Sequence, residues 1–197
     1  MRTFELNNSK NNILSIEDIS KLLSISKESA KVTANRYVQR KQLIRLKRNF
    51  YMAPANFENL TEEDYFKIAN MLQVPSYISL TSALSYYNIS TQQMRNIIES
   101  IALKRTKNII IENMKFKYLL IKKDLYSNFI LENQFFIATP EKALADAVYL
   151  TSLGKYDCDF AAIGFKRINK QKVNQIIDRT NIKTKLYWEN LCKRYKI

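Results

Sequence analysis

The sequence predicts an α+β protein in two domains: a small helical unit ending in a hairpin, then an α+β C-terminal domain on a small mixed or antiparallel sheet. Three observations lead there. Two capped helical segments a few residues apart precede a basic hairpin within the first 55 residues. Apolar, β-branched runs separated by Asn residues crowd positions 97 to 138. With 46% hydrophobic and 25% charged residues over 197 positions, the chain has the composition of a protein that folds around a core.

Ser15-Ile16-Glu17-Asp18 reads as a capping box, the serine oxygen taking a free amide while Asp18 answers the cap's own amide. Ile16, Ile19, Leu22 and Leu23 follow at helical spacing, and Ser26 starts a second helix almost at once. So short a join is the signature of a helix-turn-helix. In the second helix Ala30, Ala34, Tyr37 and Val38 share one side, the alanines allowing close approach to a neighbour. The opposite side carries Ser29, Val32, Arg36 and Gln39, flanked by Thr33, Asn35 and Arg40. Those are the side chains a major groove calls for: Arg forks to guanine, Asn or Gln pairs with adenine, and a Val or Thr methyl meets thymine. Next, Leu43 to Met52 forms two short apolar runs joined through Arg48-Asn49, where Asn accepts the left-handed backbone of a tight turn. A basic hairpin after a recognition helix is the wing of a winged helix, with Lys47, Arg48 and Asn49 at a tip that reaches phosphates or a minor groove.

The domain joint is expected at Ala53-Pro54-Ala55-Asn56, giving a winged helix-turn-helix over 1–55 and an α+β domain over 56–197. Thr61-Glu62-Glu63-Asp64 starts a capped helix holding Phe66, Ala69 and Leu72 and ending before Pro75. Leu80, Ala83, Leu84 and Tyr87 mark the next helix, with Asn88 in the left-handed position after it. Strands are expected over 97–103, 108–112, 115–122 and 134–138. Pro140 then opens a helix buried along Ala143, Leu144, Ala147 and Val148. A weaker break spans 155–166, between Gly154 and Gly164, before a basic tail over 166–197. There, helices after Asn169 and Lys183 bury Val173, Ile176, Ile177, Trp188 and Leu191. They leave Lys166, Arg167, Lys170, Lys172, Lys185, Lys193 and Arg194 free, the first four forming an auxiliary phosphate-contacting surface.

Charge narrows the partners. The chain carries 32 Lys plus Arg against 18 Asp plus Glu, a net +14, and the whole surplus sits in residues 1–55 and 163–197. Polyanions are the partners such ends attract. Without a single histidine, the Ser-His-Asp triad, the imidazole base and most zinc sites lose their usual residue. Only two glycines occur, so neither a Walker loop nor a dinucleotide fingerprint can be written, and no cofactor or metal is expected. Glu141 and Asp146 read as structural acids, because no nucleophile or base converges on them, and the chain is expected not to be an enzyme. Tyr86, Tyr87, Tyr118 and Tyr149 read as core or half-buried aromatics. The absence of a run of about 20 apolar residues, the polar start MRTFELNNSKNN, and Cys158 and Cys192 far apart lead to an expectation of a cytoplasmic protein without membrane contact.

Taken in order, the capped helix-turn-helix, the basic hairpin ending Asn49-Phe50-Tyr51-Met52, the stretch Tyr77-Ile78-Ser79-Leu80-Thr81-Ser82-Ala83-Leu84 and the stretch Ile137-Ala138-Thr139-Pro140-Glu141-Lys142-Ala143-Leu144-Ala145-Asp146 resemble the AbiEi antitoxins of type IV toxin-antitoxin systems. The resemblance runs from about residue 13 to residue 153. Family wings usually carry Gly where Asn49 stands, and Gly usually ends the Ser-Ala-Leu helix where Asn88 stands; Asn adopts both backbones. The resemblance implies a repressor that binds double-stranded operator DNA of its own two-gene operon. It also implies a C-terminal domain that counters a nucleotidyltransferase toxin without a stable complex. The alternative is a winged-helix regulator whose C-terminal domain senses a ligand or binds a partner, with no toxin involved. Oligomeric state stays open.

Overall fold

The computed structural model describes residues 12–92 and 94–197, so the polar start that enters the cytoplasmic expectation lies, but for Asn12, outside the described residues. The protein is mixed α+β, with a small antiparallel sheet and a larger mixed one. It divides into two compact units, the first extending to Ile68 and the second covering Ala69–Ile197.

In the first unit β1 (Leu14–Ser15), α1 (Ile16–Leu23), α2 (Lys27–Gln39), β2 (Ile44–Lys47) and β3 (Phe50–Met52) follow one another closely. The strands pair antiparallel in the order β1-β3-β2, with Leu14 opposite Tyr51 and Ile44 opposite Met52. The β1 strand is too short to show any period in the sequence; only its partner in β3 defines it. Ile16, Ile19 and Leu23 of α1 meet Ala30 and Ala34 of α2, and Leu14, Leu43 and Tyr51 from the sheet side close the core. Burying each Leu or Ile here is worth about 1.5 to 3 kcal/mol. Leu22, expected in the buried stripe, is exposed, because the inward positions of so short a helix are filled by Ile19 and Leu23.

The expected joint at 53–56 instead begins another helix, α3 (Pro54–Glu58), with Pro54 in the first turn, where its missing N–H costs nothing. The division comes later, inside α4 (Glu62–Leu72), whose start is capped by Thr61 and Asp64 as the sequence suggested.

The second unit is built on six strands, more than the small sheet expected: β4 (Ser76–Ile78), β5 (Ile97–Ala102), β6 (Lys107–Ile111), β7 (Met114–Leu120), β8 (Phe129–Glu132) and β9 (Phe135–Ala138), in the order β6-β7-β5-β4-β9-β8. The β5/β7 and β4/β9 pairs are parallel and the others antiparallel. Strands β4 and β8 escaped the sequence reading, the first because it is three residues pressed between Pro75 and a helix start, the second because Phe129-Ile130-Leu131 lies among turn residues. Helix α5 (Leu80–Tyr86) buries Leu80, Thr81, Ser82, Ala83 and Leu84, and Asn88 takes the left-handed backbone at φ 55°. Helix α6 (Pro140–Ser152), capped by Thr139, is buried nearly all round, not along one stripe. Helices α7 (Lys170–Ile177) and α8 (Ile182–Tyr195) bury the five apolar side chains named for them, although α8 starts after Asn181 and not after Lys183. The 155–166 stretch is no open break: Ser90 bridges to Ile163, and the Gly164 N–H donates to the Ile89 carbonyl at 2.7 Å. A Cβ on Gly164 would sit 3.3 Å from that carbonyl oxygen. Among the described residues no helix is long and apolar enough to cross a membrane.

Candidate nucleic-acid interface

The joint between α1 and α2 is fixed by its own hydrogen bonds. Ser15 Oγ accepts the Asp18 N–H while Asp18 Oδ2 accepts from the Ser15 N–H at 2.8 Å and hydroxyl at 2.6 Å. The bonds from Ser15 hold the Asp18 carboxyl below its ordinary value. Ser24 ends α1 in the left-handed region at φ 50°, and Ser20 Oγ donates to the Ile25 carbonyl at 2.6 Å. Ser26 then caps α2 through the Ser29 N–H, and Lys27 Nζ reaches back to Glu17 Oε1 at 3.1 Å. Neither Ser24 nor Lys27 stood out in the sequence, since a serine with positive φ and an ion pair across a turn have no linear signature.

With Ala30 and Ala34 fully buried on its inner side, α2 presents Ser29, Val32, Asn35, Arg36, Gln39 and Arg40 to solvent and leaves Thr33 half-buried. Val32 is 58% exposed, an apolar side chain in the middle of a polar face. Ser29, Thr33, Arg36 and Arg40 also line a shallow cavity with Leu23, Ile25 and Tyr37. In the hairpin, Arg48 and Asn49 make the turn, Asn49 at φ 66°, and the Asn49 carbonyl accepts the Ile16 N–H at 3.2 Å. That bond ties the hairpin tip to the start of α1. Arg48 is exposed, whereas Lys47 lies half-buried with Nζ 4.7 Å from the centre of the Phe50 ring.

The auxiliary set fares differently. Lys166, Arg167, Lys170 and Lys172 are all exposed, but Arg167 Nη1 donates to the Asn88 carbonyl at 2.8 Å and Lys170 Nζ to that of Ile197 at 2.7 Å. Both were expected free; a local backbone carbonyl lies within reach of each. Lys185, expected free as well, is half-buried 3.9 Å from Asp178 Oδ1.

In the second unit the acids are held internally. Lys142 and Asp146, one helical turn apart on α6 and each 1% exposed, pair at 2.7 Å. Lys142 Nζ also donates to the Leu125 carbonyl, and Asp146 Oδ2 accepts from Tyr77 and Ser79. Burial, then the Asp146 charge, pushes the Tyr77 hydroxyl well up. A second cluster centres on buried Glu99, whose carboxylate accepts from Lys117 at 3.2 Å and from Tyr156 at 2.7 Å, with Thr81 against the same Tyr hydroxyl. The sequence did hold a signal for it, a lone acid inside Ile97-Ile98-Glu99-Ser100-Ile101. Burial and the Glu99 charge lift the Cys158 thiol to about 12. Glu141 accepts a long 3.4 Å bond from the Asn169 N–H, while Tyr118 and Tyr149 are buried and Tyr86 and Tyr87 donate to Glu132. Among the described residues no three His, Cys, Asp or Glu side chains gather as a metal-binding set. Compared with known proteins, the chain matches no family model, no curated protein and no solved structure.

Proposed function

We propose that this protein is a DNA-binding transcriptional repressor whose first unit is a winged helix-turn-helix, with α2 as the recognition helix and the β2–β3 hairpin as the wing. The observation that carries the reading is the sorting of α2: its alanines are buried, and its outer face exposes Ser29, Val32, Asn35, Arg36, Gln39 and Arg40. Such a face offers forked donors, an amide and a methyl to base edges. The β2–β3 hairpin following a short-turn helix pair, with β1 completing its sheet and Arg48 at the hairpin tip, supports it, as does the surplus of positive charge in residues 1–55. Selecting duplexes from a random pool on the full chain should enrich one sequence motif, and Arg36→Ala should lose that enrichment. No binding to any duplex at physiological salt would rule the reading out.

The resemblance to AbiEi antitoxins extends the proposal to repression of the protein's own two-gene operon and to relief, without a stable complex, of a nucleotidyltransferase toxin encoded beside it. Co-expression with the product of the neighbouring reading frame tests this second part. Growth restored by the chain, including a variant unable to bind DNA, supports it. A neighbour that is not toxic, or toxicity the chain leaves untouched, refutes it.

A further inference from the structure

We propose that β8 is a self-pairing edge through which a second copy of this chain docks, joining the two six-stranded sheets into one. Strand β8 ends the sheet. Its pairing phase follows from the tight turn at Asn133-Gln134, both with positive φ, which makes Glu132 and Phe135 the closing hydrogen-bonded pair. The Thr139 N–H to Asn128 carbonyl bond, at 3.1 Å, fits the same phase. Alternation then turns the N–H and C=O groups of Phe129 and Leu131 away from β9. Among the described residues nothing hydrogen-bonds to them.

Those two residues sit symmetrically about Ile130, so an antiparallel copy placed with its own Ile130 opposite matches Phe129 to Leu131 of the second copy, and Leu131 to its Phe129. Four backbone hydrogen bonds form. The two faces agree with this register. Leu131 is 64% exposed and Phe136, directly across from it on β9, is 43% exposed, so Phe129 of the second copy would extend the row Tyr77–Phe129–Phe136 over bare apolar surface. On the other face Ile130, 46% exposed, would meet its own counterpart. Charge does not oppose the match, because Glu132 falls opposite Asn128 and its carboxylate already accepts from Tyr86 and Tyr87.

The opposite edge shows what a guarded strand looks like here. Ile110 of β6 is 72% exposed, but its face carries Lys115 directly across and Lys117 opposite Asn108, and Lys107 starts the strand. Copies meeting there would bring the Lys107 and Lys115 cations of each chain toward those of the other, Lys117 being already paired with Glu99. Lysines, prolines and bulges are among the devices that keep natural edges apart; the four residues Phe129-Ile130-Leu131-Glu132 include none of these, and their one charge, Glu132, is held by Tyr86 and Tyr87. The strand complements its own copy in this register: Phe129 and Leu131 meet each other, Ile130 meets Ile130, and no like charges are opposed, so a second copy satisfies both faces at once.

Analytical ultracentrifugation of the full chain over a wide concentration range, together with disulfide trapping, tests the assignment. The wild type is expected to show a monomer–dimer equilibrium, and Ile130→Lys and Leu131→Lys to raise its dissociation constant by about tenfold or more. Both side chains are exposed, so the fold should be kept, as circular dichroism can verify. Under mild oxidation Ile130→Cys should link two chains faster than either the wild type or Ile110→Cys, since the two positions face each other across the axis. A wild type that stays monomeric to its solubility limit, a dimer that both lysine variants leave unchanged, or Ile130→Cys linking no faster than Ile110→Cys overturns the proposal.

Discussion

At the scale of single residues, Arg36 and Arg48 hold different positions and should fail differently. Arg36 lies mid-helix on the exposed face of α2, and Arg48 at the tip of a two-residue turn. A lost base contact costs about 1 to 3 kcal/mol of discrimination, so Arg36→Ala should weaken the selected duplex while leaving a scrambled one nearly unchanged. Arg48→Ala should weaken both alike and lower the salt slope by about one charge. Anisotropy titrations at two salt concentrations separate these outcomes, and an Arg36→Ala chain that behaves as wild type would refute the proposal of α2 as the recognition helix. Lys142 makes a different claim. Removing one partner of a buried ion pair strands the other, so Lys142→Met should cost about 3 kcal/mol or more in urea unfolding; a loss under 1 kcal/mol would mean that water reaches Asp146. Elsewhere in the second unit, burial and the Glu99 charge decide thiol chemistry. With its pKa lifted to about 12, Cys158 has almost no thiolate at pH 8, so iodoacetamide should modify Cys192 first. Mass spectrometry of the alkylated chain reads the order directly.

At the scale of elements, the caps were the most legible features. Ser15, Ser26, Thr61, Thr139 and Asn169 all stand where a helix begins, because the free amides of a first turn need an acceptor close in sequence. Ser26→Ala should therefore cost about 1 kcal/mol and loosen α2 against α1, seen as a lower melting temperature and weaker duplex binding together. The capping box adds a pH signature. Asp18 has a folded pKa below its ordinary 3.8, so its contribution is complete above that value and disappears as pH falls through the folded pKa. Acid unfolding of Asp18→Asn should be correspondingly flatter in that window, while stability at pH 7 drops. Strands were harder to read. Ile97–Ala102 and Met114–Leu120 announced themselves by length, but Leu14–Ser15 and Ser76–Ile78 have too few residues for any period, and exist because a longer strand lies alongside.

At the scale of the whole molecule, the basic tail asks whether charge acts where it sits in the sequence. Two of its four auxiliary cations, Arg167 and Lys170, also donate to backbone carbonyls, so each has a stabilising role beside any role toward phosphate. Charge reversal at Lys172 and Lys166, whose side chains make no such bond among the described residues, is thus the cleaner probe: if the tail meets the duplex, Lys166→Glu with Lys172→Glu should lower affinity and salt slope together. An unchanged slope would leave the tail as a solvated cap. The sequence alone carried the caps at Ser15, Ser26, Thr61, Thr139 and Asn169, the buried alanines of α2, the hairpin turn at Arg48-Asn49 and the concentration of charge at the two ends, though not helix α3 or the start of α8. All of these are local: a cap acts over three residues, a helix face over four and a tight turn over two. Only the three-dimensional packing settled the six-strand order, the β8 edge that no described residue pairs, the division inside α4, and the burial of Lys142 and Asp146. Each depends on segments far apart in the chain, as when Tyr77 meets Asp146, and no periodicity within either segment records which distant partner will satisfy a polar group or cover a strand.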